Sequence, residues 1–185
     1  MLERAGKLGL GTAYVAGFNW ALERTYALIG HMDADFSHDP KYLPLMFEGL
    51  SRYDLILGSR YVPGGGVVNW PWKRKLVSRA GSLYAKIILG LPLNDLTGGF
   101  KCFRREVLAT IGINQLMASG FSFQIETTYK AYINGFKVKE LPIIFVDRIL
   151  GQSKMSGNIV QEAMLMVLKL RWNKHNFIRV SRGAS

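Results

Sequence analysis

The sequence predicts an α/β fold with a largely parallel sheet, and three observations carry that prediction. Two apolar runs, "TYALIGHM" and "YDLILGSR", are short and bounded by polar residues, as buried strands are. Each follows a stretch of helical character, so helix precedes strand twice in succession. At 185 residues, 49% hydrophobic and 20% charged, the chain suits one globular domain with a sizeable core.

Residues 12–24 read as the first helix, with Ala13, Ala16, Gly17, Trp20 and Ala21 on one side. "TYALIGHM" is the strand that follows, and it runs into "DADFSHDP". Asp39 followed by Pro40 has the form of a helix start, a capping carboxylate and then proline at the first position, for residues 40–50. "YDLILGSR" is the second strand. "YVPGGGVVNWP" is a glycine-rich loop with no regular period, and residues 73–90 are helical. "GGFKCFRREVLATIG" reads as a strand running into a short helix. A helix ending near Gly135 and a strand in "KVKELPIIFVD" come next. After the polar loop "RILGQSKMSGN", a last helix spans about 157–173. Its Ile159, Ala163, Met166, Val167 and Leu170 fall near helical spacing, and its end is basic and aromatic. Residues 174–185 form a basic tail.

The net charge of +11 leaves nucleic acid, anionic membrane and phosphorylated substrates as candidate partners. The excess is concentrated. Residues 60–105 hold Arg60, Lys73, Arg74, Lys75, Arg79, Lys86, Lys101, Arg104 and Arg105 against a single acid, Asp95. Arg60 follows directly on a strand end, where open α/β sheets bind ligands. No nucleic-acid-binding motif is visible, so nucleic acid is not an expected partner. Cys102 stands alone, which excludes an internal disulfide and a cysteine-rich zinc site. No run approaches the roughly 18 to 20 apolar residues that cross a bilayer, and the first residues lack the pattern of a signal peptide.

Asp33 and Asp35, one residue apart at a strand end, are the candidate chemistry. Carboxylates about 5–6 Å apart repel by roughly 3 kcal/mol at an effective dielectric near 20. In a partly desolvated crevice that favours a bound cation or one raised pKa. Hard oxygen ligands without nearby cysteine suit Mg²⁺ or Mn²⁺, with open positions left for water and substrate phosphates. The EF-hand pattern fails, because its glycine position holds His38 and its twelfth holds Pro44. A turn shaped by Asp33 and Asp35, with Asp39 as a cap, remains the other reading of the spacing, and His38 reads as a turn partner. There is no GxxxxGK[ST] loop, and no Ser-His-Asp or Cys-His set.

Six segments occur in order: "GKLGLGTAYVAGF", "DADFSHDP", "GSRYVPGGGVVNWPWKRKLVSRAGSLYA", "LNDLTGGFKCFRR", "SGFSFQIETTYKAYINGFKVKELPIIFVDR" and "GQSKMSG". Together they resemble the polyprenol (dolichol) phosphate mannosyltransferases, family 2 glycosyltransferases of the GT-A type, from about residue 4 to 172. The resemblance implies a Rossmann-like nucleotide-diphospho-sugar transferase domain over residues 1–173. The sheet would be mixed and mostly parallel, and flanked by helices. It implies a nucleotide-sugar donor, normally GDP-mannose, a polyprenyl phosphate acceptor, and transfer of the hexose with inversion. Asp33 and Asp35 match the family's DxD, which holds a divalent cation on the donor diphosphate. Arg60, Arg74, Ser78 and Arg148 match positions associated with phosphate binding, and Lys154 belongs to the same C-terminal motif. Asp35, Arg60 and Arg148 are the expected catalytic residues. Asp95 and Glu126 lie in family motifs and are expected to support the site or the fold.

The resemblance also implies work at the cytoplasmic face of a membrane without a span in this chain, either alone or with a membrane-anchoring partner. Helix 157–173, with Lys169, Arg171, Trp172 and Lys174, either lies on that membrane or packs on the domain. The family's opening "PTYNE"-like strand is not among the segments matched, so an exposed sheet edge is expected. Three rivals stand beside the transferase. A haloacid-dehalogenase-like phosphohydrolase would use the first Asp of DxD as nucleophile, but it needs a later acidic pair at a strand end, and none follows residue 100. The others are a phosphate- or anionic-membrane-binding module and a catalytically inactive remnant.

Overall fold

Strand β2 (Leu55–Ser59), buried along its whole length, is the centre on which the other elements are hung. The computed structural model describes residues 6, 9–118, 120, 122–147 and 157–178, the last stretch with side chains from residue 160 onward. β2 is flanked by β4 (Lys101–Arg104) and β5 (Val138–Pro142), and β4 in turn by β1 (Leu28–His31), giving the order β1-β4-β2-β5. β1, β2 and β5 share one direction, as the sequence predicts. β4 runs against them, pairing antiparallel with both β1 and β2. The sheet is therefore mixed, as the resemblance implies, but two of the three pairings in it are antiparallel. Lys101, the first residue of β4, lies opposite both His31 and Leu57, near the end where β1 and β2 finish. The buried loop before it, with Leu91, Leu93, Leu96 and Phe100, delivers the chain at that end, so the strand must run back. Element order alone implies parallel strands only when each helix is a full crossover.

Helix α2 (Leu43–Gly49) covers one sheet face, where Met46 and Leu50 pack with Ile56, Phe100, Cys102 and Ile143. The other face is covered by α1 (Leu10–Leu22), α3 (Trp72–Leu89), α4 (Arg105–Thr110), α5 (Phe123–Ile133) and α6 (Gly157–Trp172), which meet Leu55, Leu57 and Phe103. The alternation of Leu55, Ile56 and Leu57 between the two cores is the period-two consequence of the pleat. A Pro40–Tyr42 turn of 3₁₀ helix precedes α2, and Asp39 caps it as expected, its Oδ1 accepting from the Lys41 amide at 2.9 Å.

Four local expectations change. The core face of α1 is Gly11, Phe18 and Ala21 with Tyr14 half-buried, whereas Gly17 and Trp20 face outward. β1 is an edge strand with only Ile29 and His31 buried, while Leu28 and nearby Tyr26 are exposed. The loop 61–71 contains a strand, β3 (Gly66–Val68), too short to show a period. The single strand expected in "KVKELPIIFVD" is two. Pro142 ends β5 without an N–H to continue the ladder, and β6 (Ile144–Val146) leaves to pair in parallel with β3. Gly65 makes the approach to β3 possible, since a Cβ there would lie 2.5 Å from the Ser59 carbonyl oxygen. The first tail residues form α7 (Lys174–Phe177), where Asn134 donates to the Phe177 carbonyl and Lys130 sits over the Phe177 ring.

Candidate active site

β1 stops at His31, and the chain turns back on itself through "DADFSH". The Asp33 amide donates to His38 Nδ1 at 3.0 Å, and Asp35 Oδ1 accepts from the Ser37 amide at 3.1 Å. Phe36 completes the turn with a left-handed φ of 63°, a conformation that L-residues other than Asn and Asp rarely adopt. The His38 ring lies between Phe100 and Phe145, centroids 5.0 and 5.2 Å away. Burial lowers its pKa more than nearby Asp33 raises it, so it is neutral at pH 7 with its proton on Nε2. Its Nδ1 lone pair is engaged, as the expectation of a turn partner requires.

Asp33 and Asp35 line one cavity of about 210 Å³ at the strand ends, together with His38, Arg60 and Arg74. The two readings of the pair are thus not exclusive, because the turn shapes the carboxylates that face the cavity. The fit to a divalent cation follows from the donor set. Two carboxylates offer hard oxygens, and among the described residues no cluster of three or more His, Cys, Asp and Glu completes a closed site. Such a set leaves positions for the oxygens of a diphosphate and suits Mg²⁺ or Mn²⁺.

Arg60 and Arg74, the arginines of the wall among the described residues, are both paired. Arg60, at the end of β2, gives Nε to Asp95 Oδ2 and Nη2 to Asp95 Oδ1, each at 2.7 Å, and Nη2 also reaches Thr97. The Arg60 amide donates to the same carboxylate. Burial alone would raise the Asp95 pKa, but the Arg60 charge and hydrogen bonds bring it below the usual carboxylate range. Glu140 on β5 holds that loop by accepting from the Asn94 and Asp95 amides. Arg74 on α3 gives one nitrogen to both oxygens of Asp147, at 2.8 and 2.7 Å, and lies over the Trp70 ring at 4.2 Å. Ser78, one turn further along α3, accepts from the Tyr61 hydroxyl at 2.7 Å.

Beyond Ser78 the cavity becomes apolar. Val77, Gly81 and Tyr84 of α3 face Val160, Ala163, Met164 and Val167 of α6. The opposite face of α6 carries exposed Leu165, Leu168 and Trp172, so this helix both packs on the domain and presents an apolar strip.

Asp33, Asp35, Arg60, Arg74 and Ser78 therefore come together, with Asp95 directly behind Arg60. Arg148 and Lys154 lie outside the described residues. Glu126 does not line the cavity. It pairs with Lys130 at 2.8 Å and accepts from the Met117 and Ala118 amides, which closes the loop before α5. Sequence reasoning missed Tyr14, Gln124, Thr97 and Trp70. A tyrosine and a glutamine within otherwise apolar stretches, "TAYVAGF" and "FSFQI", were the available signal.

The sequence model of Glycosyl transferase family 2 matches residues 1–112. The chain belongs to this family. The transferase is 48% identical over 176 residues to an undecaprenyl-phosphate mannosyltransferase of Micrococcus luteus, covering 93% of this chain and 72% of that one. It is 44% identical over 184 residues to a polyprenol monophosphomannose synthase of Mycolicibacterium smegmatis, covering 99% and 69%. Among solved structures it resembles a mycobacterial protein, with a TM-score of 0.58 at 17% identity. It also resembles the glucosyl-3-phosphoglycerate synthase of Mycobacterium tuberculosis crystallised with Mn²⁺, uridine diphosphate and glucosyl-3-phosphoglycerate, with a TM-score of 0.54 at 15% identity. The transferase spans 53% and 57% of those two chains, and the likeness is one of fold, an α/β domain of GT-A type with a mixed sheet between helices.

Proposed function

We propose that this transferase moves a hexose, mannose from GDP-mannose, onto polyprenyl phosphate. The observation that carries the reading is one cavity with two chemistries. Carboxylates and arginines line the end at the strands, and an apolar channel leads from it between α3 and α6. A phosphate head on a prenyl chain has the same two parts. The relatives named for undecaprenyl-phosphate and polyprenol monophosphate mannosyl transfer support the choice of sugar and acceptor.

An acceptor phosphate oxygen attacks the anomeric carbon, the bond from that carbon to the donor diphosphate breaks, and its electron pair leaves with the nucleoside diphosphate. Direct displacement inverts the centre. The acceptor is already anionic at neutral pH, so no strong base is required, which agrees with a His38 whose Nδ1 is engaged. Asp33 and Asp35 would hold Mg²⁺ or Mn²⁺, which neutralises charge on the leaving diphosphate. Arg74 sits at the rim and can exchange Asp147 for a phosphate, and Ser78 beside it offers a hydroxyl. Arg60, locked by Asp95, keeps its positive charge at a fixed place in the wall, as electrostatic preorganisation requires. Arg148 and Lys154, carried over from the resemblance, complete the phosphate set.

The acceptor's tail stays in the bilayer, so the enzyme must meet it at the membrane surface. Trp72, Leu76, Leu83 and Ile87 are exposed along one side of α3, a spacing that keeps them on one face of a helix. With Leu165 and Trp172 on α6 and the neighbouring lysines and arginines, they suit an anionic leaflet. No helix among the described residues is long and apolar enough to cross a membrane.

The test is transfer from labelled GDP-mannose to undecaprenyl phosphate in anionic vesicles with Mg²⁺ or Mn²⁺. The expected product is a mannosyl phosphopolyprenol with inverted anomeric configuration by NMR. No lipid-linked product with either cation, from a folded chain, overturns the reading in favour of an inactive phosphate-binding module.

A further inference from the structure

Behind the carboxylate turn, three side chains from three elements line up on Asp33. The His31 ring at the end of β1 contacts Gln124 of α5, Nε2 to Oε1 at 3.2 Å. An amide oxygen only accepts, so Nε2 carries the proton, and the buried Nδ1 has no hydrogen-bond partner among the described residues. Tyr14 of α1 leans on the same His31 ring and carries its hydroxyl to the Asp33 turn. That hydroxyl reaches Asp33 Oδ1 at 3.3 Å, and a carboxylate can only accept from it. The His31 proton therefore points at Gln124 and the Tyr14 proton at Asp33, with the two rings in contact.

The links are held rigidly. The Tyr14 ring stacks on Phe123 with centroids 5.3 Å apart and planes at 10°, and it leans on His31 at 4.5 Å. Lys101, fully buried, donates to the Gln124 carbonyl and to the Thr128 hydroxyl, which ties the start of α5 to β4. On the other side Gly99 closes the space. A Cβ there would come within 3.4 and 3.5 Å of the two Asp33 oxygens and 3.6 Å of Gln124 Nε2. Asp33 itself is more than one-third exposed, and its Oδ2 lies 3.8 Å from His38 Nδ1.

We infer that Tyr14 is a positioning residue: its hydroxyl, held in place by the packing of its ring on Phe123 and His31, fixes Asp33 Oδ1 and leaves Oδ2, with Asp35, for the cation on the donor diphosphate. This rests on the reading of Asp33 as a metal ligand. Losing such an outer partner typically costs about 10-fold or more in metal affinity.

The experiment is a titration of the full chain with Mn²⁺ in saturating GDP, with free Mn²⁺ read by its EPR signal. GDP binding without metal and the melting temperature are measured in parallel. Tyr14→Phe keeps the ring and its stacking, and it is expected to weaken Mn²⁺ binding about 10-fold with metal-free GDP binding unchanged. Asp33→Asn separates the two readings. If it abolishes Mn²⁺ uptake while Tyr14→Phe stays within about twofold of the parent, positioning is overturned and the metal site stands. If Asp33→Asn matches the parent, the metal reading falls and the inference falls with it.

Discussion

Arg60 and Arg74 line the same cavity and each pairs with an aspartate, yet the two pairs occupy different physical regimes. Arg60 and Asp95 are 8% and 0% exposed, joined by two parallel bonds and backed by a backbone amide. Arg74 and Asp147 are 19% and 20% exposed, with one guanidinium nitrogen shared between both oxygens. A phosphate would have to overcome the fork geometry and burial of the first pair, whereas at the rim it competes only with a carboxylate that water already reaches. The same two residue types thus serve as a fixed wall in one place and an exchangeable clamp in the other.

Removing acids from the two pairs tests that contrast most sharply. Asp95→Ala leaves the Arg60 charge buried and unpaired and should cost about 3–5 kcal/mol in urea denaturation. Asp147→Ala should cost about 1 kcal/mol or less, as a partly solvated pair does. Equal costs would erase the distinction. On the catalytic side, Asp35→Ala should lower kcat by about 100-fold in the transfer assay while the chain stays folded. Arg74→Ala should raise KM for polyprenyl phosphate about tenfold, the loss of one charge-assisted hydrogen bond, with a smaller change in kcat.

A further test is the pH dependence of stability. Burial lowers the Lys101 pKa from 10.5 to about 7, with Asp95 partly opposing. Between about 7 and 10.5 the unfolded chain binds the extra proton, so this group makes stability rise with pH across that window. Lys101→Met should flatten the rise in denaturation midpoints measured from pH 7 to 9. Asp95 acts at the other end of the scale. Its lowered pKa contributes stability above the ordinary carboxylate value of 3.8, and that contribution is lost as pH falls through the folded value.

Much of the fold was legible because its signals are local. Asp39-Pro40 marked the start of the turn that leads into α2, Gly135 followed α5, and "DLILGS" was a buried strand. Errors fell where a choice depended on a distant partner. β1 read as buried from its composition, but burial requires a neighbour on both sides, and only β4 pairs with it among the described residues. Pro142 divided an apolar run that looked continuous, because the second piece had β3 to join. For the site, the DxD turn, Arg74 and Ser78 were found from motifs, whereas the partners that set their electrostatic character were not.

The sequence alone determined which chemistry was available: two carboxylates at a strand end, arginines beyond the next strand, and the order of segments that resembles a polyprenol phosphate mannosyltransferase. Only the tertiary structure decided how those groups are held. Arg60 meets Asp95 across 35 residues, Arg74 meets Asp147 across 73, and His31 meets Gln124 across 93. Helix periods, caps and turn residues act over a few positions and leave a trace in the local sequence. A hydrogen bond between distant segments leaves none until the sheet and its helices bring the two ends together.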